Sequence, residues 1–176
     1  ERRGRMTPTE GRTDQEMVAL LAERGGAWEV SNALAARGKA AIGALLGGLT
    51  HPEPKVRAAC ALLLDHVADD RCIGALLQAM RHDPHEAVRR CAMHALVCDG
   101  CKECPLNTDV VGALIESART DRSRAVRRRA VFYLSQQPLD ARTGPALEAL
   151  LAGESDAIVR KRAQGALTKA VQFPGG

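Results

Sequence analysis

Aromatic side chains are nearly missing from this chain. Its 176 residues include one Trp, one Tyr and two Phe. The core must therefore come from Ala, Leu and Val, and ring platforms for stacking bases or sugars are scarce. No run of alternating β-branched residues marks a strand. No apolar run is long enough to span a bilayer, and no secretory signal pattern is present, so a cytoplasmic protein is the default expectation. Glycine-rich phosphate loops, zinc-protease helix motifs and nucleophile elbows are also lacking. Charge of one sign does not dominate: 25 Lys and Arg stand against 21 Asp and Glu, a formal net charge of +4. That balance permits an acidic partner without demanding one.

What is present is repetition. Val-Arg recurs at Val56-Arg57, Val88-Arg89, Val126-Arg127 and Val159-Arg160, at intervals of 32, 38 and 33 residues. Four positions after each Val stands a small residue: Cys60, Ala92, Ala130 and Ala163. Eight positions after it stands Leu64, Leu96, Leu134 or Leu167. A period in this range is the signature of a stacked repeat protein. Before each Val-Arg lies a second apolar stretch with helical spacing, such as Ile73-Gly74-Ala75-Leu76-Leu77. Polar links such as His51-Pro52-Glu53-Pro54 and Gly153-Glu154-Ser155-Asp156 separate the two and carry helix-start residues. Each unit is thus a helical hairpin.

The aligned Val-Arg, small residue and Leu, with Glu53, Asp83, Asp121 and Asp156 shortly before each Val, resemble the HEAT-like repeats, in particular the short repeats of the phycobilisome-lyase type. The resemblance spans about residues 38–170. It implies an all-α fold, a right-handed α-α solenoid of helical hairpins, used mostly as a binding scaffold. The lyase-type relatives act on bilin pigments, usually as heteromeric partners, and no residues here match that chemistry. Some DNA glycosylases for alkylated bases also use HEAT-like repeats. They need a catalytic acid and aromatics beside the lesion, and the groove positions of this sequence offer one Phe and no acid. The expectation is accordingly a non-enzyme.

The organisation expected is a flexible segment over 1–12, an N-terminal helical cap over 13–37, four repeats over 38–170 and a tail over 171–176. Met6 as a native start and a longer parent chain remain alternatives. Thr13 and Glu16 have the spacing of a capping box. The regular arginines Arg57, Arg89, Arg127 and Arg160 are expected to pair with the acids that precede them, as a ladder along the stack.

Two groups of candidate functional residues follow. In helical-hairpin solenoids the second helices line the concave side. Positions two, three and six after each Val face it, giving a groove that runs from apolar to basic. Leu62 and Phe132 would anchor apolar groups, and Arg90, Arg128, Arg129, Lys161 and Arg162 anionic ones. A protein or peptide partner suits this groove, and nucleic-acid phosphates are the alternative. The second group lies in an insertion at 98–108 that lengthens the middle interval. There Cys98, Cys101 and Cys104 stand two residues apart. Together with Cys91 and His94 on the preceding helix they could hold zinc. A redox pair and plain reduced thiols stay open beside that reading.

Overall fold

A computed structural model of the chain describes residues 9–23, 25–138 and 140–172. The described residues form helices and connecting turns, with no strand among them. Helix α1 (Asp14–Leu20) and helix α2 (Ala27–Ala36) come first. Four hairpins follow: α3 (Ile42–Gly48) with α4 (Pro54–Val67), α5 (Ile73–His82) with α6 (Glu86–Val97), α7 (Val110–Thr120) with α8 (Arg124–Leu134), and α9 (Thr143–Gly153) with α10 (Ala157–Gln172). Short 3-10 turns precede α3 and α5, and a third, Asp99–Cys101, follows α6. The chain divides into two compact units, bounded at Leu106 and Asn107. Residues 1–8 of the segment expected to be flexible over 1–12, and residues 173–176 of the expected tail, lie outside the described residues. Residues 171 and 172 belong to α10 rather than to a tail.

Local chemistry explains where the helices begin. Thr13 accepts from the Glu16 amide, and the Glu16 carboxylate accepts from the Thr13 amide, which completes the capping box of α1. Gly26 precedes α2 with φ of 94°, a left-handed conformation that suits glycine. Pro54 occupies the first turn of α4, where its missing N–H costs nothing. Asp109, Ser123 and Asp156 accept from amides in the first turns of α7, α8 and α10.

The repeat signature is the core. Val56, Cys60 and Leu64 are fully buried on α4, and Val88 and Ala92 on α6, with Leu96 at 2% exposure. On α8 the residues Val126 and Ala130 are fully buried, as are Val159 and Ala163 on α10. Each large side chain removed from water contributes about 1.5–3 kcal/mol. The small residues allow close approach. At Gly48, at the end of α3, an added Cβ would sit 2.3 Å from Cys60 Sγ and 2.8 Å from a Val18 methyl.

The arginines act as clamps, in a way that differs from the expected ladder. Each reaches back with Nη1 to a carbonyl of its own hairpin link: Arg57 to His51 and Pro52, Arg89 to Asp83, Arg127 to Asp121, and Arg160 to Glu154. The carboxylate partners come from the following link. Arg57 forms a two-pronged pair with Asp83 at 2.7 and 3.0 Å, and Arg127 forms one with Glu154 at 2.6 and 3.0 Å. Glu53 and Asp156 are instead engaged by the first amides of their own helices. Asp83 and Glu154 also accept from the His85 and Asp156 amides, so the same carboxylates order their own links and hold the preceding arginine.

Candidate functional sites

In the second unit, α8 and α10 present a cationic face with an aromatic centre. Phe132 is 38% exposed. It meets Tyr133 edge-to-face at 5.4 Å between ring centroids. The Arg162 guanidinium lies 5.6 Å from the Phe132 centroid, and that of Arg129 5.7 Å from the Tyr133 centroid. Both distances fall within cation–π range. Residues Arg129, Lys161 and Arg162 are exposed and Arg128 is half-buried. None of the four makes an ion pair among the described residues. Arg127, by contrast, is committed to Glu154, whose pKa lies below its ordinary value because Arg127 hydrogen-bonds it. On α8 the structure thus separates Arg127, which holds the fold through an ion pair, from Arg128 and Arg129, which make none among the described residues. The remaining groove candidates, Leu62 and Arg90, belong to the first unit. Leu62 is 47% exposed, and the Nε atom of half-buried Arg90 has no hydrogen-bond partner there.

The first unit contains the cysteine cluster. Asp65 near the end of α4, His94 on α6, Cys98 just beyond α6 and Cys101 in the following turn offer ligand atoms that all lie within 4.8 Å of one another. The local fold brings them together in a simple way. His94 and Cys98 are one turn apart, and the Cys98 amide still donates to the His94 carbonyl. The 3-10 turn Asp99–Cys101 then doubles the chain back, which places Cys101 Sγ 2.9 Å from Cys98 Sγ. Helix α4 packs against α6 and supplies Asp65, whose Oδ2 is 3.1 Å from His94 Nε2. Lys102 turns inward, its side chain fully buried, with its ammonium 3.7 Å from Asp65 Oδ1. It donates to the Cys98 carbonyl.

This grouping departs from the candidate ligand set in two places. Cys104 is exposed and lines a separate cleft of about 640 Å³ beside Lys39, His66 and Glu103. Cys91 is half-buried and stands outside the cluster. The turn after Cys98 carries Cys104 away, because Lys102 points inward and Glu103 is drawn to Lys39 at 2.5 Å. Asp65 takes the vacated place, and nothing in the Cys-x-x-Cys spacing announces it. One sequence signal was available. Asp65 occupies the register held by Val97, Ser135 and Thr168 in the other repeats, so it is the one acid at that position. Cys60 and Cys72 are fully buried core thiols.

Comparison with known proteins agrees with this architecture. A family model for HEAT repeats matches residues 41–98. No curated protein sequence matches the chain. Among solved structures, the complex of CpcE and CpcF of phycocyanin lyase from Nostoc sp. PCC7120 is similar with a TM-score of 0.68. It is 22% identical and covers 87% of this chain and 96% of its own. A designed armadillo repeat protein in complex with the peptide (KR)4 is similar with a TM-score of 0.54. It is 20% identical and covers 89% of this chain and 81% of its own. With its periodic core, its paired helices and the HEAT-repeat match at residues 41–98, the chain has a HEAT-like helical-repeat fold.

Proposed function

We propose that this protein is a non-catalytic scaffold that binds an acidic protein or peptide segment on the α8–α10 face. The observation that carries the reading is the set of four cations on α8 and α10, Arg128, Arg129, Lys161 and Arg162, without ion pairs among the described residues, with Arg162 over the exposed ring of Phe132 and Arg129 over Tyr133. Free guanidinium groups suit carboxylates, which they bind in two-pronged fashion. An apolar side chain of the partner would pack on the Phe132 ring between them. The architecture supports the same view, since similar structures include a subunit complex and a peptide complex. The armadillo complex holds a basic peptide. Here the free charges are cationic, so complementarity calls for an acidic one.

The test is fluorescence anisotropy with a labelled peptide rich in Glu with one or two Leu or Phe anchors. A control peptide carries Lys in place of Glu, and a single-stranded oligonucleotide of equal charge serves as competitor. The expected result is binding of the acidic peptide alone, lost at least tenfold in Arg128→Glu/Arg129→Glu with an unchanged circular dichroism spectrum. Tighter binding of the oligonucleotide, weakening steeply with salt, would replace this reading with nucleic-acid recognition. Equal affinity for both peptides would refute it.

A further inference from the structure

We infer that Asp65, His94, Cys98 and Cys101 form a closed site for one thiophilic divalent cation of the zinc class. The inference is independent of the peptide-binding face, which lies in the other unit. Four donors of three kinds converge within 4.8 Å. Two thiolates, an imidazole and a carboxylate are a donor set that zinc accepts in tetrahedral geometry. Metal–ligand bonds of 2.0–2.3 Å place the donors of such a site about 3.3–3.8 Å apart. The Asp65–His94 separation of 3.1 Å is close to the lower end, which applies to nitrogen and oxygen donors. Two thiolates need the upper end, so the Cys98–Cys101 separation of 2.9 Å must widen by about 0.9 Å, through opening of the Asp99–Cys101 turn, to admit the ion.

A second observation points the same way. Asp65 is 2% exposed, and its Oδ1 has no hydrogen-bond partner among the described residues. Burying a carboxylate oxygen unsatisfied is costly. Lys102 is too far from it for a hydrogen bond, at 3.7 Å. A metal ion among the four donors would satisfy it.

Charge also balances. Binding releases one proton from each of the two thiols to solvent, leaving ligands of total charge −3 around an ion of +2. The buried Lys102 ammonium supplies the remaining positive charge. Lys102 faces the Asp65 carboxylate at 3.7 Å and so lies beside the four donors.

The location gives the ion a structural consequence. The site joins α4, α6 and the insertion, so an ion would fasten the insertion to the second helices of two consecutive hairpins. The same insertion contributes Glu103, Cys104, Pro105 and Leu106 to the adjoining cleft. Metal loading would set the shape of that cleft.

The experiment uses the full chain, purified without a metal-affinity tag, then reduced and stripped with chelator. Six free thiols are verified after denaturation. Cobalt(II) is titrated in and then displaced by zinc. The expected result is one ion per chain, with the visible bands of tetrahedral cobalt and a near-ultraviolet thiolate band. Two thiols, Cys98 and Cys101 by peptide mapping, should become protected from alkylation. Cys98→Ser should abolish the bands. Asp65→Asn and His94→Gln should weaken binding at least tenfold, while Cys104→Ser and Cys91→Ser leave it unchanged. A fully reduced, folded protein that gives no tetrahedral bands with stoichiometric cobalt overturns the inference. So does binding that Cys104→Ser removes and Asp65→Asn spares. The wild-type titration decides the matter even if a variant does not fold.

Discussion

Replacing Arg57 with Ala removes four hydrogen bonds at once, two to the Asp83 carboxylate and two to the His51 and Pro52 carbonyls. It leaves Asp83, whose side chain is only 5% exposed, with the His85 amide as its remaining donor from this set. Breaking a buried ion pair from one side costs about 3–5 kcal/mol, far above the cost for a surface pair. For a chain of this length that corresponds to a fall in melting temperature of about 2–4 °C per kcal/mol. Urea unfolding followed by far-ultraviolet circular dichroism measures the loss. The double-mutant cycle of Arg57→Ala, Asp83→Asn and Arg57→Ala/Asp83→Asn isolates the pair, with an expected coupling of about 2–3 kcal/mol. The pH dependence follows from the pair. Burial pushes the Asp83 carboxyl up, but the Arg57 hydrogen bond and the His85 amide outweigh it, and its pKa is held below the ordinary 3.8. A lowered carboxyl pKa contributes stability that is present above the unfolded value and is lost as pH falls through the folded one. The wild type should therefore lose this contribution below about pH 4, and Arg57→Ala should show a flatter acid limb. A loss under about 1 kcal/mol, or no coupling in the cycle, would refute the assignment of Arg57 as a clamp between hairpins.

Two further outcomes are expected. Gly48→Ala should destabilise by about 1–3 kcal/mol, because the new Cβ meets Cys60 Sγ and Val18; a chemical melt reads this directly, and Gly48→Ala/Cys60→Ala should recover part of it. Thiol labelling should be strongly graded. Exposed Cys104 reacts in the native protein, whereas Cys60, fully buried and pushed up to about 12 by that burial, reacts only on unfolding. Mass spectrometry after brief alkylation would expose an error if Cys60 were modified as fast as Cys104.

The sequence alone determined the repeat and its core. Val, small residue and Leu at fixed spacing fall on one helix face by the geometry of the α-helix. Val56, Cys60 and Leu64 and their equivalents on α6 and α8 are accordingly buried. Thr13 with Glu16 announced the first helix for the same reason, since a capping box is local chemistry. Tertiary structure decided what depends on neighbours distant in sequence. Which acid each arginine holds could not be read from spacing. Asp83 and Glu154 reach Arg57 and Arg127 from the following link, while nearer acids cap their own helices. Among three consecutive arginines on α8, packing committed Arg127 to the fold and left Arg128 and Arg129 without ion pairs among the described residues. The cysteine cluster shows the division most sharply. The Cys98–Cys101 spacing was visible in the chain, but Asp65 enters only because α4 packs against α6, and Cys104 leaves because Lys102 turns inward to the buried carboxylate. A helix repeats its own face every few residues, whereas the partner of a buried charge is chosen by whichever element folds against it.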